Sequence, residues 1–312
     1  MNTEPDNREL EPDVVETGPF DPTAPLTPSG NLRRRQWLTR LAEGGAIAAA
    51  LLAVGALAMV VYTVVARGGS AISWKFITTN PSPLDPGGGG VAPYLLGTLL
   101  IVALATAIAM PMGVLIALYL TEFAGRRSAG LIRTVLTLIN GLPSIVIGVF
   151  VYGLIVATTH RQSGFAGSIA LAIIMVPLIA RSSEEMLLLV PKSFREAADA
   201  LGVSRWRAVL GVTLPAAAGG IVTATVLAVA RAAGETAPLI LVSSIFSGGV
   251  VLNPFGQAVP NVPVSIFQLS EQADPNGYTR AWGEALVLVT LILVASLLAR
   301  ALLTRTRAKL TQ

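Results

Sequence analysis

Arg231 and Glu235 stand four residues apart within an apolar run, in the segment Arg231-Ala-Ala-Gly-Glu235-Thr-Ala-Pro238. An arginine at the centre of a membrane span costs about 2.5–3.5 kcal/mol on insertion scales, so it is a functional candidate by default. The i, i+4 spacing lets the two charges meet on one helix face. Two readings of the pair stand side by side. One is a self-neutralising couple facing a bundle interior. The other is a transient anion site, because a guanidinium grips an oxyanion through two parallel hydrogen bonds. Glu235 would then orient the arginine or accept a hydrogen bond from a protonated oxyanion. That second role favours phosphate, which keeps a proton near neutral pH, over sulfate. Arg181, closing the apolar run 169–180, is a further candidate, either as an anion ligand or as an interfacial anchor that snorkels toward water.

Other chemistries are poorly supplied. The chain has no Cys and one His, His160. Thiol catalysis, zinc-thiolate sites and iron–sulfur clusters are excluded, and His-based schemes are nearly so. Gly87–Gly90 is not followed by the Lys-Ser or Lys-Thr of a phosphate-cradling loop and reads as a flexible turn.

The elements that must position these charges are membrane spans. Of 312 residues, 53% are hydrophobic and 13% charged, about half the charge of a typical soluble domain. Six apolar stretches, roughly 44–66, 93–120, 132–158, 167–190, 215–242 and 283–304, each exceed the approximately 20 residues needed to cross a bilayer. The third and fourth lie close together, so a re-entrant pair is the alternative there. Pro111, Gly141-Leu142-Pro143, Pro177 and Pro238 interrupt several of these runs. They read as kinks that neighbouring helices tolerate, or as breaks whose freed backbone groups line a path.

With the N-terminus inside, 17 of the 22 Lys and Arg residues fall on the cytoplasmic side. Arg67, Lys75, Arg161 and Arg280 fall outside, and Arg231 lies within a span. This asymmetry places both termini in the cytoplasm. Because the arginines border apolar runs instead of forming an aromatic-interleaved stripe, nucleic acid is excluded as a partner. Residues 1–32 carry seven acids and six prolines. They read as a disordered cytoplasmic tail without the basic start of a signal peptide. Residues 33–304 form the membrane domain, with an outside loop at 243–282 that holds a short interfacial helix near 262–269. Residues 305–312 form a second cytoplasmic tail.

The cytoplasmic loop 191–215 has a pattern of its own. Phe194, Ala197, Ala198 and Leu201 share one helical face, with Arg195, Glu196 and Asp199 opposite. Gly202 ends that helix. Ser204 is placed to cap a second short helix, with Trp206, Val209, Leu210 and Thr213 at the same spacing. Two such helices, at about a right angle, suit a membrane surface or a groove on a soluble protein.

Within this loop, Glu196-Ala197-Ala198, Gly202, Val212, Leu214 and Pro215 resemble the cytoplasmic loop of ABC importer permeases, with Val212 replacing the usual isoleucine. The segment from Arg231 to Leu239 resembles the signature of PstA-type phosphate permeases, as do Gly141–Gly148 and the run from Met186 to Glu196. The Ala-Pro-Leu that follows Thr236 favours the PstA over the PstC type. The likeness covers roughly residues 74–303. It implies an all-α, six-span type I ABC importer permease of the bacterial plasma membrane that does no covalent chemistry. Arg231, Glu235 and Arg181 would contact phosphate. Glu196, Ala197, Ala198, Gly202, Leu214 and Pro215 would couple to an ATPase. The implied partners are a PstC-type permease, two copies of a cytoplasmic ATPase that binds ATP and Mg, and an extracytoplasmic phosphate-binding protein. An importer of another oxyanion, such as sulfate or molybdate, has the same loop and differs only at the 231–239 segment.

Overall fold

A computed structural model describes residues 32–82, 89–244, 249–272 and 274–310. The acidic tail, apart from Leu32, lies outside the described residues. The chain divides into two units, Met1–Ala58 and Met59–Gln312. The first holds most of helix α1 (Leu32–Gly68), whose apolar Leu41, Leu51 and Leu57 are exposed.

The second unit is built on one seam. Helix α2 (Trp74–Thr78) is capped by Ser73, which accepts from Phe76 N. It precedes α3 (Ala92–Leu118), which Pro93 opens and which carries Pro111 inside. The described part of the glycine run is packed, not loose: Gly90 N donates to Asn80 O at 2.9 Å. Gly87 and Gly88 lie outside the described residues. Along α3, Ala105, Ala109, Gly113 and Ala117 recur every fourth residue, and the three alanines are wholly buried. This ridge faces Ser168, Ala172 and Ala180 of α7 (Gly164–Leu188). Ser168 Oγ donates to Ile101 O at 3.1 Å. Farther along, Gly113 sits against Ile179, so the two helices run parallel. Small residues let backbones approach closely where lipid gives no hydrophobic drive to associate.

The third expected span is not one straight helix. Helix α4 (Arg126–Gly141) ends at Leu142, which is extended because Pro143 disfavours the helical region for the residue before it. Helix α5 (Ser144–Val151) leaves at 98° to α4. It continues through a π turn into α6 (Ala157–Thr159). The described residues thus hold five helices long and apolar enough to cross a membrane, or six spans if this bent pair counts as one.

The loop beyond α7 carries one short helix, α8 (Lys192–Ala200). It ends at Gly202, whose φ of +69° is the left-handed cap expected there. The expected second short helix is instead the root of the next span. Helix α9 (Arg205–Ala208) passes through a π turn into α10 (Leu214–Ala232), a single rod over residues 205–232. Ser204 occupies the cap position, but its side chain makes no capping bond. After a break, α11 (Ala237–Val242) completes the fifth run.

Helix α12 (Val262–Glu271) is capped by Asn261, which accepts from Val264 N. It forms where the short helix near 262–269 was expected. Val262, Val264, Ser265 and Leu269 are buried against neighbouring helices, principally α3 and α13. Helix α13 (Pro275–Leu310) starts earlier and ends later than the apolar run that signalled it. It therefore contains Arg280, expected in the outside loop, and extends into the expected C-terminal tail.

Candidate functional site

The fifth run breaks at its charged pair. Arg231 occupies the last turn of α10, and the helix ends at Ala232. Gly234 N donates to Arg231 O at 3.1 Å and Glu235 N to Ala232 O at 3.1 Å, closing a tight turn before α11. The i, i+4 contact therefore forms across a helix end and not along a helix face. Arg231 Nε lies 3.8 Å from Glu235 Oε1, with the arginine side chain 55% exposed and the carboxylate 17%. At that distance and exposure the carboxylate does not use up the guanidinium's five N–H donors.

The helix that follows the other interrupted run, α5, packs against α11. A Cβ on Gly148 of α5 would lie 2.7 Å from Pro238 Cα and 3.2 Å from Leu241 Cδ1. Only a glycine lets α5 approach α11 this closely. Helix α11 is pinned at its far end: Gln162 Nε2 donates to Leu241 O at 3.0 Å and Ser163 N to Val242 O at 3.0 Å. Ser243 Oγ accepts from Val259 N at 3.0 Å. The helices that follow the Gly141-Leu142-Pro143 and Gly234–Pro238 interruptions, α5 and α11, thus pack closely against each other.

Residues 109–308 match the family of binding-protein-dependent transport system inner membrane components. The chain belongs to that family. Its relatives include the phosphate transport system permease protein PstA of Yersinia pestis. That protein is 37% identical over 268 residues, which cover 85% of this chain and 90% of the relative. PstA 1 of Mycobacterium tuberculosis is 34% identical over 248 residues, covering 78% of this chain and 81% of that protein. Among solved structures, an inward-facing MetNI methionine ABC transporter superposes with a TM-score of 0.54 at 20% identity. The match covers 69% of this chain and 94% of that one. A bacterial alginate ABC transporter, in complex with alginate pentasaccharide-bound periplasmic protein, gives 0.59 at 15% identity, covering 88% and 96%. At these identities the structures establish the fold, that of ABC importer permeases, as the sequence resemblance implied. This is the membrane component of a transport system.

Arg181 is held by a different helix pair. On α7 it donates to Thr137 Oγ1 of α4, and no hydrogen bond or ion pair joins it to Arg231 or Glu235 among the described residues. Beside it, Arg133 of α4 holds Glu184 of α7 through Nε at 2.8 Å and Nη2 at 2.6 Å. In α8, Glu196 and Ala197 are exposed while Ala198 is buried. The apolar face expected there is therefore split, with Phe194 and Leu201 in the open. Leu214 packs against the cluster that includes Leu187, Val209 and Ala217. Pro215 lies exposed near the start of α10.

Sequence reasoning passed over two ion pairs. Glu122 and Arg195 form an ion pair at 2.7 Å. Arg280 and Glu284 form another at 3.0 Å, with side chains 4% and 0% exposed. Arg280 Nη2 also donates to Gly90 O at 2.8 Å, tying α13 to the segment before α3. The signal for this second pair was present: an acid inside an apolar run with an arginine four residues before it.

Proposed function

We propose that this chain is a permease subunit of an ATP-driven importer that moves inorganic phosphate across the bacterial plasma membrane. The observation that carries the reading is an incompletely neutralised guanidinium, Arg231, set at a helix break beside Glu235 in a chain whose relatives are named phosphate permeases. A guanidinium offers phosphate a bidentate contact. Glu235 accepts a hydrogen bond from the O–H that hydrogen phosphate retains, which a fully ionised sulfate cannot offer. Arg181 serves as a second contact nearer the α8 end of the bundle, held in place by Thr137.

Phosphate arrives from an extracytoplasmic binding protein, and the chain pairs with a PstC-type permease. Both termini and α8 face the cytoplasm, supported by the Lys and Arg asymmetry. There α8 docks on one of two ATPase subunits, which hold ATP and Mg and perform all the hydrolysis. Glu196 and Ala197 present the contact, while Ala198, Gly202, Leu214 and Pro215 shape the loop and root it in α10. ATP-driven closure shifts the population of two bundle arrangements, exposing the anion first to one side and then to the other.

The test is uptake of radiolabelled phosphate in a strain lacking this chain, complemented by the wild-type gene, with sulfate and molybdate as competitors. Restored uptake that excess sulfate leaves intact is expected. Restoration blocked by sulfate or molybdate, or restored sulfate uptake in place of phosphate, overturns the substrate assignment.

A further inference from the structure

Seven of the nine residues of α8 are exposed; the exceptions are Arg195 and Ala198. Sequence periodicity put the apolar residues inward, yet of these helical residues only Ala198 is buried, and a charged side chain turns toward the bundle beside it. Arg195 Nη2 reaches Glu122 Oε1 at 2.7 Å and Leu187 O at 3.4 Å. Glu122 is 5% exposed and lies in the π turn Tyr119–Phe123 that extends the end of α3. The next residue, Phe123, takes the guanidinium of Arg205 over its ring at 5.5 Å. The two arms of the loop, α8 and the start of α9, therefore both grip the terminal turn of α3. The loop is covalently continuous only with α7 and α10, so these are added attachments to a third helix. A π turn widens the helix locally and is frequent at functional positions. Here it presents two successive side chains to the two arms.

We propose that the Arg195–Glu122 ion pair is a positioning link that makes α3 follow α8, so that movement of the coupling loop reaches the α3–α7 seam directly and not only through the ends of α7 and α10. The link acts through α8 and contacts neither nucleotide nor anion. It rests on the reading of α8 as the element that docks on an ATPase. A buried carboxylate that loses its cationic partner is left uncompensated, which favours release of the turn and of α8 from one another.

The experiment uses the whole transporter, with its second permease, ATPase and binding protein, in proteoliposomes, and measures phosphate imported per ATP hydrolysed. Arg195→Gln and Glu122→Gln are each expected to lower that ratio about tenfold while ATP hydrolysis persists, a change within the range reported for coupling residues. The exchange Arg195→Glu with Glu122→Arg is expected to restore most of it, which a loss of fold would not allow. If the glutamine variants fail to assemble, Arg195→Lys and Glu122→Asp are compared in the same way and are expected to retain most of the ratio. An unchanged ratio in assembled glutamine variants overturns the link, as does an exchange variant as poor as either single change.

Failure of the wild-type complex to import phosphate counts against the substrate assignment alone. The link is then read by electron-spin distances. Because the chain has no native Cys, labels at Ser193→Cys and Ala124→Cys report α8 against the end of α3. Their separation is expected to stay constant on ATP addition in wild type and to change in Arg195→Gln. Equal behaviour of the two overturns the proposal.

Discussion

Replacing Arg231 by glutamine separates a structural charge from a transporting one, because the two roles differ greatly in magnitude. The Arg231–Glu235 contact is long, at 3.8 Å, and the arginine is 55% exposed. An ion pair of that kind contributes about 0–1 kcal/mol to stability. A change of that size shifts the melting temperature by less than about 4 °C in a unit of this size. As an anion ligand, the guanidinium makes two charge-assisted hydrogen bonds, each contributing about 1.5–3 kcal/mol. Their loss amounts to about 3–6 kcal/mol, roughly a hundredfold to ten-thousandfold in affinity or rate. Arg231→Gln is therefore expected to insert and melt like wild type while phosphate uptake falls by about a hundredfold or more. Arg231→Lys keeps the charge but loses the planar fork, and its uptake should fall between the two. The assays are radiolabelled uptake in complemented cells and thermal unfolding of the detergent-purified protein. Uptake by a fully inserted Arg231→Gln protein within about twofold of wild type would refute the energetic reasoning.

Three further outcomes are expected. Gly148→Leu forces α5 away from Pro238 and Leu241. Overpacking of this kind costs about 1–3 kcal/mol, so the variant should melt lower and lose uptake, and a normal melting curve would show that the two breaks do not bear on each other. Arg280→Gln strands Glu284 in the interior and should destabilise the unit by about 3–5 kcal/mol, whereas Arg280→Met with Glu284→Leu should recover most of that loss. Denaturation of both variants decides this, and equal stability would mean that the buried pair is not energetically coupled. Gly202→Ala places a Cβ at φ +69° and should cost about 1–2 kcal/mol. Co-purification of the ATPase should weaken accordingly, and undiminished recovery would argue against a fixed α8 geometry in docking.

The sequence was most informative where a single local property decides the structure. Apolar runs located α3, α7, α10 and α13, and spacing located the loop helix and its glycine cap. It was less informative where the answer depends on a distant neighbour. Leu142 and Pro143 announced an interruption, but neither the 98° bend nor the close approach of Gly148 to Pro238 could be read from them. Periodicity assigned Arg195 to the solvent side because Glu122, its partner, belongs to a different span. Arg280 was counted with the exported charges because hydropathy sees an isolated arginine as an end marker. The structure instead supplies a carboxylate, a backbone carbonyl and the face of Tyr94 around it. Of the residues expected to handle the anion, Arg231 and Glu235 are brought together at the break, whereas Arg181 donates to Thr137 of α4.

The alanine and glycine ridge between α3 and α7 has a mechanical consequence. Two rods meet closely along this ridge, and the buried Ile101, Leu171, Met175 and Ile179 pack around it, so the seam has little room to mesh differently. They form a keel, and whatever rocking the transporter performs must be taken up in the broken helices at its flanks. Amide protons from Ala105 to Ala117 should then be among the last to exchange into heavy water, and those around Leu142 and Gly234 among the first.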